Sequence, residues 1–346
     1  MKRKVLDLFC GCGGISLGFE KADFDIKLGI DVWEPALVTF EKNHSNSKTI
    51  CGDISEILPS TIKNEYLEDG VDVIIGGPPC QGFSISGKRD VNDPRNKLYQ
   101  SFVSYVEYFK PKVFVMENVP NLVSMNKGLV KDEIIKEFED IGYTVTYKIL
   151  LASDYGVPQN RKRVFFIGLL NSKDDFLFPL TTHSESKVTS GQAISDLPED
   201  ELENGSAYNA KHQSDYQKLI RQNSEGIYNH QITKHTETTK ETIALVPDGG
   251  NYKSLPKELQ EIRKVNIAWT RLNSKKPSFT IDTGHRHHFH YKFNRIPTVR
   301  EAARIQSFPD NFIFYGSKTA QEKQVGNAVP PMLAEVLAQS IKKYLL

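Results

Sequence analysis

The first half of the chain alternates short apolar runs with polar, glycine-punctuated stretches. Val5-Leu6-Asp7-Leu8-Phe9 reads as a strand. Cys10-Gly11-Cys12-Gly13-Gly14 reads as a tight turn, and Ile15 to Lys21 as the start of a helix. Ile26 to Ile30 is a second strand, ending on Asp31, and Thr49 to Ile54 a further strand edge closing on Gly52-Asp53-Ile54. Val71-Asp72-Val73-Ile74-Ile75 is apolar and β-branched, bounded by Gly70 and Gly76, the pattern of a strand covered by helices on both faces. Leu98 to Phe109 is an amphipathic helix ended by Pro111. Val113 to Met116 is a strand running into Glu117-Asn118-Val119-Pro120, and Leu129 to Ile141 is a helix. Val145 to Leu151 and Arg163 to Leu169 are two more strands. This alternation predicts an α/β fold with a doubly wound, mixed-parallel sheet.

The pattern changes near Pro179. Thr181 to Asn251 is rich in Ser, Thr, Asn, His and Lys with weak periodicity, as expected of a second domain or a long set of ordered loops, with disorder possible in parts. From Glu261 to Arg304 basic residues dominate: Arg263, Lys264, Arg271, Lys275, Lys276, Arg286, Lys292, Arg295, Arg300 and Arg304. Trp269, Phe279, Phe289, Tyr291 and Phe293 are interleaved. That mixture fits a nucleic-acid face, with cations for phosphates and rings for stacking; a merely solvated charged surface fits the composition equally well. Thr298-Val299-Arg300-Glu301 is a capping box, so a helix should start there and stop before Pro309. A last helix from Pro330-Pro331 aligns Leu333, Val336, Leu337, Ile341 and Tyr344 on one face, which should return the chain to the core of the first domain.

At 346 residues the chain can bury a large core and form two domains. No stretch approaches the length of a membrane span, and Met1-Lys2-Arg3-Lys4 runs into a strand rather than a signal-peptide core, so a cytoplasmic protein without membrane contact is expected. The four cysteines, Cys10, Cys12, Cys51 and Cys80, crowd the first quarter, unlike a secreted disulfide scaffold. Their spacing is not that of a zinc site. The net charge of +1 decides nothing about nucleic acid, because local clustering matters more.

The chemistry gathers at Gly76-Gly77-Pro78-Pro79-Cys80-Gln81. The glycines and prolines stop a strand and force a stiff turn, so Cys80 sits on a loop at the carboxyl end of that strand, the edge where open α/β sheets bind ligands. From the loop alone Cys80 reads two ways: as a nucleophile once ionised, or as a small buried hydrophobe. The strand, glycine turn, helix, second strand and Asp31 make a nucleotide-binding arrangement, in which glycines admit the ligand to the backbone and the acid takes ribose hydroxyls. The spacing is not GxGxxG and no phosphate-gripping Lys-Ser/Thr follows, so an adenosine ligand fits without a pyrophosphate. A glycine turn without a ligand is the alternative. His285, His287, His288 and His290 alternate as chelators could, but without a nearby cysteine or carboxylate partner; no metal is expected.

Taken together these segments resemble the DNA (cytosine-5)-methyltransferase family of bacterial restriction-modification type, in family order over nearly the whole chain. Asp7-Leu8-Phe9-Cys10-Gly11-Cys12-Gly13-Gly14 is similar to its first cofactor motif, and Gly76 to Ser84 to its nucleophile motif. Glu117-Asn118-Val119 is similar to its glutamate motif, and Gln159-Asn160-Arg161-Lys162-Arg163 to its QxRxR pattern. Arg300-Glu301-Ala302-Ala303-Arg304 and Gln324-Val325-Gly326-Asn327-Ala328-Val329-Pro330 resemble its last two blocks. The region from Thr181 to Tyr291 lies where that family keeps its variable target-recognition segment.

The resemblance implies a sheet of the S-adenosylmethionine-dependent methyltransferase type, with residues 1–178 plus 318–346 as catalytic domain and 179–317 as a smaller, irregular target-recognition domain. It implies that Cys80 adds to C6 of cytosine, giving C5 enamine character. Glu117 would relieve the charge that builds at N3, its carboxyl raised above the usual range by burial. Arg161 and Arg163 would clamp the base's O2 and the pocket loops, or serve only as structural ion pairs. S-adenosylmethionine would lie across Phe9, Gly11 and Gly13, leaving S-adenosylhomocysteine. Asp31 would take the ribose, Asp53 and Ile54 would meet the adenine, and Val32 or Trp33 would cover it. Asn327 would close the site, and Pro78, Leu98 and Ala328 complete the set. The substrate would be double-stranded DNA with its cytosine flipped out, Phe83 to Lys97 closing over it. A monomer without an obligate protein partner is expected, with a cognate restriction endonuclease implied by analogy. An RNA-methylating enzyme of the same class, an inactive DNA-binding homologue and a nicotinamide oxidoreductase fit less well. The long segment after the QxRxR block disfavours the first. Cys80, Glu117, Arg161 and Arg163 disfavour the second, and the missing GxGxxG the third.

Overall fold

A computed structural model describes residues 2–79, 97–262, 269–284 and 288–346. Contacts divide it into two units: residues 1–151, 162–180 and 333–346, and residues 152–161 and 181–332. The bounds expected from the sequence, 1–178 plus 318–346 against 179–317, meet these near residue 180 and part from them at 152–161 and 318–332.

The first unit is built on seven strands: β1 (Arg3–Leu8), β2 (Phe24–Asp31), β3 (Lys48–Cys51), β4 (Val73–Gly76), β5 (Val113–Asn118), β6 (Tyr143–Leu151) and β7 (Lys162–Leu170). Their order is β3-β2-β1-β4-β5-β7-β6. β1 to β5 run parallel, and β7 is antiparallel to both its neighbours, so the sheet is mostly parallel as expected. From β1 the chain winds outward to β2 and β3, then returns to place β4 on β1's other side. The switch point of the sheet therefore lies between β1 and β4, and ligands of open α/β sheets bind at that point. The glycine-rich turn and the Cys80 loop leave from these two strands.

Five helices flank the strands: α1 (Gly14–Lys21), α2 (Glu34–Asn43), α3 (Pro59–Tyr66), α4 (Lys97–Phe109) and α5 (Leu129–Asp140). Leu6, Leu8, Ile74, Phe102, Phe114, Met116 and Phe138 form part of one continuous core. Phe114 and Phe138 stack with centroids 4.1 Å apart. The last helix, Pro331–Ile341, buries Leu333, Leu337 and Ile341, and residues from 333 onward belong to this unit, as its apolar face predicts. Among the described residues no helix is long and apolar enough to cross a membrane.

The pattern reading misses α2 and α3. α3 buries only Ile62, so it has no stripe to show, and both helices open on a proline in the first turn. The Thr49-to-Ile54 edge is shorter than expected. The strand stops at Cys51, because the Asp53 carboxylate accepts the Ser55 N–H at 2.9 Å and starts a 3-10 turn at Ile54.

The second unit holds short helices and one two-residue strand pair, Thr270–Arg271 with His288–Phe289, among its described residues. The expected capping box is present: Thr298 Oγ1 accepts the Glu301 N–H and Glu301 accepts the Thr298 N–H. The helix it starts, Val299–Ile305, is buried along its whole length.

This burial corrects the reading of a basic nucleic-acid face. Arg271, Arg295, Arg300 and Arg304 are interior. Arg304 pairs with Asp196 and Asp310, and Arg295 forks onto both oxygens of Glu301 at 2.8 Å. Arg300 donates to the carbonyls of Tyr228, Pro309 and Phe312, and Arg271 to those of Val246, Ile243, His290 and Phe293. Trp269 and Phe289 pack into a small core with Ile243 and Ile296. These cations brace loops rather than meet solvent, a use for which the five-donor guanidinium is suited. Lys275, Lys276 and Lys292 are exposed, whereas Arg263, Lys264 and Arg286 lie outside the described residues.

Candidate active site

Cys80 and the segment expected to close over DNA, up to residue 96, lie outside the described residues. The ground they leave from is described closely. A Cβ on Gly76 would stand 2.2 Å from the carbonyl oxygen of Leu8, so only glycine lets β4 run this close to β1. A Cβ on Gly77 would stand 3.0 Å from Oε2 of Glu117, which places that carboxylate beside the root of the loop. The register of β4 and β5 sets Gly76 opposite Met116, one residue short of Glu117. Asn118 Nδ2 donates to the carbonyl of buried Pro78 at 2.8 Å, tying the loop to the end of β5.

Glu117 is paired. Arg163 Nε lies 2.7 Å from its Oε1, and the two side chains are 16% and 13% exposed. The sheet explains the meeting. Glu117 faces Phe165 across the antiparallel β5–β7 ladder, so Arg163, two residues along, projects from the same face on the diagonal. The pair neutralises two charges in a nearly closed place. Arg161 belongs to the other unit and is 1% exposed. Its guanidinium donates to the carbonyls of Gly326 at 3.0 Å and Asn327 at 3.3 Å, the last turn of the helix Lys318–Asn327. It acts there as a backbone clip.

Of the expected cofactor residues of the first unit, Phe9, Gly11 and Gly13 lie in the turn after β1, and Asp31 is bonded to it. Phe9, Gly11 and Gly13 take left-handed φ values of 64°, 53° and 92°. Phe9 is the costly one, because a side chain crowds the backbone there. Asp31, the last residue of β2, accepts the Gly11 N–H and the Trp33 N–H, each at 2.8 Å. Its carboxylate thus shapes the turn as well as facing it, and two lone-pair positions remain for ribose hydroxyls. Val32 is 71% exposed, whereas Trp33 is half-buried at the start of α2, which favours Val32 as the residue free to cover a ring. Asp53 is exposed and Ile54 is buried. Pro78 is buried and Leu98 is half-buried on α4. Asn327 and Ala328 lie in the second unit, at the end of the helix clipped by Arg161.

Three features escaped the pattern reading. Asp7 is buried with Ser16 Oγ donating to it at 2.5 Å, and burial pushes its carboxyl up to about 8. The Asn118 clip was visible only as a neighbour of Glu117. His44, packed behind Gly13, carried no motif at all. Among the described residues no group of His, Cys, Asp or Glu could hold a metal ion, and His285 and His287 lie outside them. His290 is buried, its Nδ1 accepting the N–H groups of Lys292 and Phe293, and burial lowers it to about 4.

A model of C-5 cytosine-specific DNA methylases matches residues 3–343. The chain belongs to that family. This methylase is 41% identical to the type II methyltransferase M.DdeI of Desulfomicrobium norvegicum, over 98% of this chain and 88% of that protein. It is 38% identical to the type II methyltransferase M1.HphI of Haemophilus parahaemolyticus, over 99% of this chain and 87% of that protein. Its structure matches, over 99% of both chains and with a TM-score of 0.83 at 28% identity, a protein described as a DNA modification methyltransferase encoded within an E. coli prophage. The S. pombe Dnmt2 methyltransferase, at 17% identity and a TM-score of 0.62, shares the fold. The methylase is a DNA (cytosine-5)-methyltransferase with the α/β sheet of that class, as the ordered motifs imply.

Proposed function

We propose that the methylase modifies one cytosine in a specific short double-stranded DNA sequence by adding the Cys80 thiolate to C6 of the flipped-out base. Carbon 5 of cytosine is a poor nucleophile. Once sulfur bonds to C6, electrons of the 5,6-double bond become available at C5, and negative charge spreads to N3 and O2. Glu117, once it has taken up a proton, donates it in a hydrogen bond to N3 and relieves that charge, and Arg163 holds the carboxyl in place and offers a cation toward O2. After methyl transfer a water molecule takes the proton from C5, its electrons re-form the 5,6-double bond, the C6–sulfur bond breaks, and Cys80 leaves as thiolate.

S-adenosylmethionine, when bound, supplies the methyl group as a sulfonium. The turn after β1 fits such a group: a Cβ on Gly11 would find nothing within 4 Å, leaving open space beside the backbone. Asp31 stands over that turn, and the exposed Val32 lies next to it. Phe9, Gly11, Gly13, Asp31, Val32, Asp53, Ile54, Pro78 and Leu98 are the residues that would hold the cofactor, with Asn327 and Ala328 from the second unit. Arg161, by fixing the Gly326 and Asn327 carbonyls, sets the shape of the segment carrying the last two.

Residues 179–317 would supply the target-recognition domain, reading bases while lysines and arginines fix register on phosphates. The relatives' description as type II methyltransferases supports a role in shielding host DNA from a cognate endonuclease. The enzyme would act in the cytoplasm as a monomer. The observation that carries the mechanism is the Glu117 carboxylate, held by Arg163, beside Gly77 at the root of the Cys80 loop. Bisulfite sequencing of plasmid DNA from cells expressing the methylase tests it, with Cys80→Ala alongside. Protected cytosines in one short recurring context, lost in the variant, are expected. An unmethylated plasmid alongside methylated RNA would change the polymer, and protection by Cys80→Ala would end the covalent mechanism.

A further inference from the structure

The back of the glycine-rich turn is filled by one histidine. His44 follows α2 directly, and its side chain is fully buried. A Cβ on Gly13 would lie 2.1 Å from His44 Nε2 and 2.8 Å from its Cδ2, so the imidazole edge occupies the space a side chain at position 13 would need. The ring lies 4.3 Å from that of Phe40, which comes within 2.9 Å of the same point and of a Cβ on Gly29. The far side of the imidazole is fixed as well. Nδ1 is 2.8 Å from Glu20 Oε2 in the last turn of α1, and since a carboxylate only accepts, Nδ1–H donates. The His44 N–H donates to Phe40 O at 2.9 Å, its carbonyl accepts from Ser47 N at 3.0 Å, and Ser47 Oγ donates to Ile26 O on β2 at 2.8 Å. The imidazole thereby meets α1, the glycine turn and α2, while the His44 backbone reaches β2 through Ser47.

Left-handed backbone at a non-glycine residue persists only where its surroundings over-determine it, and such strain gathers at ligand clamps. Phe9 and the two glycines need that support. Asp31 supplies it from one side through the Gly11 N–H, and the imidazole supplies it from behind Gly13. A polar ring buried this deeply is an expensive filler unless its hydrogen bond is needed. We propose that His44, oriented by Glu20, is a positioning residue for the methyl donor: it holds the turn in its binding shape and sets cofactor affinity without touching the cofactor. The proposal rests on the reading of this turn as the S-adenosylmethionine site.

The test is calorimetric titration of the full-length enzyme with S-adenosylmethionine, paired with separate KM values for cofactor and DNA. His44→Ala is expected to weaken cofactor binding about tenfold or more while the KM for DNA holds, because a misplaced clamp loses pre-organised contacts. Glu20→Gln, which keeps size and only weakens the hydrogen bond, should weaken it a few-fold. His44→Asn, which keeps a donor toward Glu20 in a smaller frame, should recover part of the loss. If His44→Ala fails to fold, the partly exposed Glu20→Gln decides. Variants that melt earlier yet bind the cofactor as the wild type does would reduce His44 to packing and overturn the proposal. A folded wild-type enzyme that binds no S-adenosylmethionine would instead overturn the cofactor reading, and the proposal with it.

Discussion

Asn118 and Pro78 lie at the ends of neighbouring parallel strands, joined by a 2.8 Å hydrogen bond from the amide Nδ2 to the proline carbonyl. Proline has no N–H, so the loop that carries Cys80 is tied to the sheet here through an acceptor. The same β5 end presents Glu117 to that loop. Replacing Asn118 by Ala removes the donor from a buried carbonyl, at a cost of about 1–3 kcal/mol. The turnover number should fall further than this stability loss explains. Single-turnover methylation at a temperature well below Tm checks it, and an unchanged rate there would dissociate the clip from catalysis.

Arg163 holds Glu117 at 2.7 Å through a diagonal contact across the β5–β7 ladder. Arg163→Ala is expected to lower kcat by about 10²-fold, the scale of losing one pre-organised charged donor. Arg163→Lys should recover little, because an ammonium lacks the planar fork that lets one guanidinium hold a carboxylate and reach onward. Melting curves and initial rates measured together separate the two effects. A kcat within a few-fold of wild type in Arg163→Ala would remove Arg163 from the chemistry.

Asp7 gives the first unit a pH signature. Its buried carboxyl is pushed up to about 8, well above the ordinary aspartate range, chiefly by burial. The folded state then holds a proton that the unfolded chain releases above pH ~4. More protons bound in the folded state mean that stability falls as pH rises between about 4 and 8, with a slope approaching about 1.4 kcal/mol per pH unit from this group alone. Asp7→Asn keeps the shape without the titration. Denaturant unfolding of both proteins across that range should show the variant gaining on the wild type as pH rises. Parallel curves would mean Asp7 is ionised in the fold.

The sheet was legible because its strands are buried on both faces and read as apolar runs closed by glycine, as Val73 to Gly76 does. The antiparallel β7 was legible only as a strand, since direction leaves no mark on composition. Glu117 and Cys80 stand out in the sequence because the expected chemistry demands particular residue types in order, and of the two only Glu117 lies among the described residues. His44 was not: its contacts run 24 residues back to Glu20 and depend on Gly13 having no side chain, which no local pattern records. The arginines failed most instructively. Arg300 and Arg304 look like surface charge in sequence, and they are fully buried, with Asp310 meeting both from just past their helix and Asp196 meeting Arg304 from 108 residues away.

Those arginines yield the strongest stability prediction. Arg304 is enclosed, with Asp196 on one side and Asp310 on the other, and Asp310 also accepts from Tyr208. Arg304→Ala takes a cation from two interior carboxylates, leaving Asp196 to Arg221 at 3.2 Å and Asp310 to Arg300 at 3.7 Å, and breaking a buried pair from one side costs about 3–5 kcal/mol. The Asp310 carboxyl, held below its usual range by Arg304 and Arg300, would lose its principal partner and take up a proton more readily. The variant should therefore recover stability as pH falls toward the carboxylate range, where the wild type loses it. The double change Arg304→Met, Asp310→Asn removes one cation and one carboxylate together, leaves Asp196 paired with Arg221, and should be less damaging than Arg304→Ala alone. Urea unfolding at neutral and acidic pH reads both comparisons. A single variant as stable as the wild type at neutral pH would mean that solvent reaches these carboxylates and that the cluster is not closed.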